Sequence, residues 1–237
     1  MAPFFTTQDT QQTMASGSTV TEPLDSNDVH APGELLNLLT HGLGLMLSLV
    51  ALDRMIAGLA HWHDRWCAAG CIVYVVSLVA VYAASTLSHS FRRPRLRHFF
   101  RTVDQVCIFF LIAGTYTPWG VTFYTEGWGW PLLAAMWALA FAGAAFKLFV
   151  TGHDNVGVVF YILLGWLPAL GAFEIVHRVP TAALGWLVAG GLCYTLGTYF
   201  LSRDERRPYF HAIWHLLVIA GSACHFYGIM RYVVPYC

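Results

Sequence analysis

His211 and His215 lie four residues apart, a spacing that projects both imidazoles from one helix face with their Cβ atoms about 5–6 Å apart. Two imidazoles so placed can share one metal ion. His89, far away in sequence, offers a third, and zinc accepts three such nitrogens at about 2.0–2.1 Å. Three protein ligands leave a fourth position for water, which a bound zinc makes acidic enough to act as a nucleophile. Asp104 could accept a proton there, orient the water, or hold a ligating ring in place. Its plainer role is an ion pair with Arg101 or with the basic loop before it. Ser85 precedes His89 by one helical turn, shares its face, and could bond a water or a substrate carbonyl; its plainer role is helix packing. Cys107 is a lesser ligand candidate, ranked below the three histidines.

The elements that must position these groups follow from composition. Of 237 residues, 57% are hydrophobic and 11% charged, with a mean hydropathy of +0.56. A soluble domain would need more charge to cover its surface, and here the apolar residues run in long blocks. About 20 apolar residues cross about 30 Å of hydrocarbon. Spans are therefore expected at 35–53, 67–88, 103–123, 131–150, 157–176, 181–201 and 210–230, separated by charged, Gly or Pro clusters such as 91–101 and 202–208. The fold expected is all-α: a polytopic membrane protein, a seven-transmembrane-helix bundle over 34–237. Residues 1–33, polar and free of Lys and Arg, read as a disordered N-terminal tail.

Cations orient the bundle. Arg92, Arg93, Arg95, Arg97, Arg101, Lys147, Arg203, Arg206 and Arg207 share one side, and only Arg54, Arg65, Arg178 and Arg231 the other. The richer side is expected in the cytoplasm, with the N-terminus. Trp62, Trp66, Trp128 and Trp130 fall where interfacial aromatics are expected on the opposite side. Under this topology His89, Asp104, His211 and His215 all reach similar depth near the cytoplasmic boundary. Ionisable groups are costly inside a membrane and call for partners, which makes their convergence a functional signal. Charge balance and the lack of a basic stripe with spaced aromatics speak against nucleic acid. The six cysteines form no CxxC pair and read as small buried hydrophobes, with no disulfide framework expected.

Several motifs in order carry a resemblance: His41-Gly42-Leu43-Gly44; Ser85 to Ser90 followed by Asp104; Leu111 to Pro118; His211 to His215; and His225-Phe226-Tyr227-Gly228. Together they resemble the hemolysin III family, related to the progestin and adiponectin receptors, over about Glu34 to Arg231. The resemblance implies a seven-helix bundle with a cytoplasmic N-terminus. It also implies a zinc ion on His89, His211 and His215, with Ser85 and Asp104 beside its water. The animal relatives resemble zinc-dependent lipid amidases of the ceramidase type. The bacterial plasma (inner) membrane is the location it implies.

Three functions follow as expectations. The first is a zinc-dependent hydrolase of a lipid amide (ceramide-like) or ester bond, with membrane lipid as substrate. The second is a zinc-stabilised membrane sensor or regulator without turnover. The third is a pore-forming cytolysin, against which stands the absence of a continuous row of charges. The arginine-rich stretch could meet anionic lipid headgroups. Glu34, Asn37 and His41 form one polar stripe on the first span, supporting the site or tying helices. His225 lies ten residues past His215, about 15 Å along the axis, and reads as an interhelical hydrogen bonder. Gly114 with Pro118, and Gly190, Gly191 and Gly197, read as close-packing sites.

Overall fold

A computed structural model of the chain describes residues 32–237 except 92, 124–126, 128, 151–153, 172–175, 205–206 and 208, with the side chains of 32–35, 154 and 155 also left undescribed. Residues 1–31 of the expected tail, and readings resting on the side chains of Glu34, Arg92, Trp128 and Arg206, lie outside the described residues.

The described chain is helical: α1 Pro32–Gly58, α2 Arg65–Ser90, α3 Pro94–Phe123, α4 Gly129–Phe149, α5 Asp154–Trp166, α6 Thr181–Leu201 and α7 Phe210–Tyr232. Six are long and apolar enough to cross a membrane, and α5 begins a shorter apolar segment. The all-α polytopic architecture expected from hydropathy is thus present. Leu39, Met46, Val76, Phe141, Leu163 and Leu192 stand exposed on five different helices. Outward apolar side chains are what lipid contact requires of a bundle whose backbone is satisfied within each helix.

Two boundaries differ from expectation. α3 begins at Pro94, nine residues before the expected 103, because proline at a first helical position forfeits only an already unsatisfied N–H. The exposed Arg95, Arg97 and Arg101 therefore ride on its opening turns. α5 stops at Trp166 and tightens into a 3-10 segment, Leu167–Gly171. Pro168 explains this, since its ring clashes with the carbonyl four residues back and ends the α-helical ladder.

Between helices in lipid there is little hydrophobic drive, so close fit and hydrogen bonds must hold them. α2 packs along α3, α6 along α7, and α1 against both α2 and α7. A Cβ on Gly114 would lie 2.6 Å from Ser77 Oγ, so α2 and α3 approach as closely as they do only because that position is bare. In mid-bundle, Ser222 of α7 meets Tyr82 of α2 (3.0 Å) and Tyr194 of α6 (2.9 Å) through its hydroxyl, while Tyr74 donates to its carbonyl at 3.3 Å. Bonds of this kind are worth about 0.6 kcal/mol each inside a membrane.

One cysteine expectation is corrected. Cys67 and Cys237 form a disulfide across 170 residues of sequence, and the Cys71 sulfur lies 3.8 Å from that of Cys237. No short spacing announces such a pair. It forms because the start of α2 and the segment after α7 emerge at the same end of the bundle. There the Cys237 backbone oxygen also accepts the N–H groups of His63 and Asp64.

Candidate metal centre

At the opposite end, α1, α2, α3 and α7 converge. His89 lies in the last turn of α2, His211 and His215 open α7, and Asp104 is the eleventh residue of α3. The structure brings all four together and adds His41 of α1. One ring nitrogen from each of His41, His89, His211 and His215 lies within 4.8 Å of those of the others. The ring centroids of His211 and His215 are 4.4 Å apart, as one-turn spacing dictates. His89 stands 5.5 Å from His211 and 5.7 Å from His215.

Hydrogen bonds outside the cluster fix which nitrogen His215 and His211 present. Thr40 has one hydroxyl proton, and it has backbone acceptors for it in Leu36 (2.9 Å) and Asn37 (3.0 Å). Its oxygen therefore accepts from His215 Nδ1, 3.0 Å away, which leaves the Nε2 lone pair of His215 aimed at the other rings. Likewise, Asp204 Oδ2 accepts from His211 Nδ1 at 2.9 Å. A ligating histidine almost always donates its other N–H to a carboxylate or oxygen, which fixes the tautomer and raises ligand basicity. The donor set thus fits a divalent cation on its own chemistry: converging imidazole lone pairs with protons turned outward. Asp204→Ala is expected to weaken metal binding about 10–100-fold, measured by competition against a chromophoric chelator. An unchanged affinity would remove Asp204 from this account.

Ser85 donates to Asp104 Oδ2 at 3.0 Å and its oxygen is also 3.1 Å from His41 Nε2. The pair therefore sits against the cluster, with Ser85 buried between α1 and α3. Asp104 spends its contact on Ser85, in place of the Arg101 pair considered as its plainer role. Cys107 packs among partly buried apolar residues and takes no place in the histidine group. His225 stays apart, as its axial offset requires; a Cβ on Gly190 would run into its ring.

A cavity opens beside the cluster. His41, Ser85, Asp104 and His215 line its polar end, while Tyr82, Ile112, Trp166, Tyr194 and Val218 are among its largely apolar walls, and His225 also lines it.

Sequence reasoning singled out His89, His211, His215, Ser85 and Asp104, which the structure places together, and set His41 on a stripe facing the bundle. It missed Thr40 and Asp204. The signal for Asp204 was its place seven residues before His211 at the same helix end, where its loop had been read only as a span boundary.

Comparison with known proteins identifies the family. A family model described as "Haemolysin-III related" matches residues 29–226. The chain is similar to "Hemolysin-3" of Bacillus cereus, 36% identical over 203 residues, covering 85% of this chain and 92% of that protein. It is 33% identical to the "Hemolysin-3 homolog" of Bacillus subtilis (strain 168), over 85% of this chain and 94% of the relative. It is also 33% identical to "Monocyte to macrophage differentiation factor" of Homo sapiens, over 72% and 73% of the two chains. No solved structure matches it. A family model spanning most of the chain, with bacterial relatives matched almost end to end, places this protein in the Haemolysin-III related family.

Proposed function

We propose that the chain is a zinc-dependent hydrolase that cleaves an amide or ester bond of a membrane lipid, of which a ceramide-like N-acyl lipid is the leading substrate. The observation that carries this reading is the cavity, apolar along its walls, whose polar end is the histidine cluster with the Ser85–Asp104 pair.

His89, His211 and His215 would hold the ion, each through the nitrogen turned toward the cluster. A zinc ion there supplies Lewis acidity to a carbonyl and to water at neutral pH. Asp104 is the group able to take the proton from the attacking water and return it to the leaving amine or alkoxide. Ser85 holds the Asp104 carboxylate in place through its donated hydrogen bond. The apolar walls would take an acyl chain and keep bulk water out, which strengthens each polar interaction inside.

Orientation supports substrate entry from the cytoplasmic leaflet. The exposed Arg93, Arg95, Arg97 and Arg101 lie at the histidine end, where they would face the cytoplasm and anionic headgroups. The Cys67–Cys237 bridge lies at the other end, where a plasma-membrane location would expose it to an oxidising compartment.

Purified protein in mixed micelles, given labelled ceramide, N-acyl ethanolamine and a diacyl ester, is expected to release fatty acid from at least one. The release should stop on metal chelation and return on adding zinc. A zinc-loaded chain that cleaves none of the three would overturn the hydrolase reading. It would leave the metal as a staple between α1, α2 and α7, a reading that the number of histidines in the cluster favours.

A further inference from the structure

We infer that His225 is a second recognition point in the cavity, binding a hydroxyl carried mid-chain by the acyl group of the lipid substrate. This rests on the reading of the cavity as an acyl-chain site and names the class of chain it prefers. His225 is 1% exposed, and its ring lines the cavity. Its Nδ1 is buried with no hydrogen-bond partner among the described residues. Both nitrogens of an imidazole form hydrogen bonds, and buried polar groups are nearly always paired. Leaving one unpaired in apolar surroundings costs stability. A ligand in the cavity removes that cost.

The other polar groups on the wall are already engaged. Tyr82 and Tyr194 both spend their hydroxyls on Ser222. Tyr116 donates to the Gly165 carbonyl at 2.9 Å, and Thr115 to that of Leu111 at 2.7 Å. The Trp166 indole donates to Thr195 at 2.9 Å. Among the described residues that line the cavity, only His41 and His225 hold a buried polar atom without a partner. His41 belongs to the metal end, against Ser85 and His215. His225 belongs to the apolar walls. There it lies against Gly190 of α6, where a Cβ would run into its ring, and its centroid is 5.3 Å from that of Tyr194.

Distance sets which part of a lipid reaches it. His225 lies ten residues past His215 on α7, about 15 Å along the axis. Between them the wall is apolar, with Val218 on α7 and Ile108, Leu111 and Ile112 on α3. An acyl chain whose carbonyl sits at the polar end would cross this stretch and meet the imidazole mid-chain. A plain hydrocarbon leaves the ring unpaired. A hydroxyl both donates and accepts, so it bonds the imidazole in either tautomer.

Oleic and ricinoleic acids differ only by one mid-chain hydroxyl, and their displacement of a fluorescent fatty acid reads binding without turnover. Each is titrated into zinc-loaded protein in detergent micelles, with wild type and His225→Leu side by side so that partition into micelles cancels. The preference for ricinoleic acid is expected to be about fivefold greater in the wild type, the effect of one buried hydrogen bond. An equal preference in the two proteins would overturn the role of His225 and leave the hydrolase reading standing. Failure of both proteins to bind any of the three acids would overturn the acyl-chain reading of the cavity itself. Should His225→Leu not fold, the wild type decides alone. A mid-chain hydroxystearic acid should then bind about fivefold more tightly than its isomer with the hydroxyl on the terminal carbon. Equal or reversed affinities contradict the inference.

Discussion

Replacing His215 with alanine is expected to abolish stoichiometric metal retention and, with it, the response of thermal stability to zinc. His215 is 2% exposed, its Nδ1 is fixed by Thr40, and its Nε2 faces the other rings. Removing a partner outside the first ring of ligands costs about 10–100-fold in affinity, and removing a ligand costs more. A bound ion stabilises the folded chain in proportion to the logarithm of its free concentration relative to Kd, about 4 kcal/mol at a thousandfold excess. The wild-type melting midpoint should therefore rise with added zinc and fall with a chelator. The His215→Ala midpoint should respond to neither. Metal analysis of the two purified proteins, with melting curves across a zinc series, checks both parts. A variant with wild-type zinc content would show that the cluster does not hold the ion.

Asp104→Asn separates chemistry from metal binding. Asparagine keeps the shape of the side chain and can still accept the Ser85 hydroxyl, but its amide cannot take up a proton. Lipid cleavage is expected to fall about 10²–10⁴-fold, the usual contribution of a positioned acid–base group, or about 3–5 kcal/mol on the barrier. Zinc content should not change, because the group that converges on the ion consists of histidines alone. Comparing turnover and metal content in the same preparation provides the check. Full activity in the variant would exclude Asp104 as the proton carrier. Loss of zinc along with activity would make it a ligand instead.

Much of this arrangement was legible in the sequence because membrane spans impose parity. Once hydropathy sets the order of crossings, His89, Asp104, His211 and His215 must emerge at one end, and an i, i+4 pair must share a face. The fold class needed only the apolar blocks. What was not legible depended on contacts that no local pattern encodes. Cys67 and Cys237 carry no spacing signal across 170 residues, although the same parity argument puts both at the end opposite the arginines. Asp204 looked like one charge in a boundary loop until the turn before α7 folded it back onto His211. His41 was recognisable as polar and inward-facing, but its meeting with His215 depends on the packing of α1 against α7. The early start of α3 and the shortened α5 were decided by Pro94 and Pro168, which overrode the hydropathy blocks.

Ligand atoms gather at the two ends of the chain: the four histidines, and the sulfurs of Cys67, Cys71 and Cys237, which become a rival site only where the Cys67–Cys237 disulfide is reduced. X-ray absorption at the zinc edge on the purified, zinc-loaded protein distinguishes them directly. Nitrogen neighbours at about 2.0–2.1 Å with the outer-shell pattern of imidazole are the result expected here. A shell of sulfur at about 2.3 Å, or a chain that takes up no zinc, would contradict a histidine metal centre and the chemistry built on it.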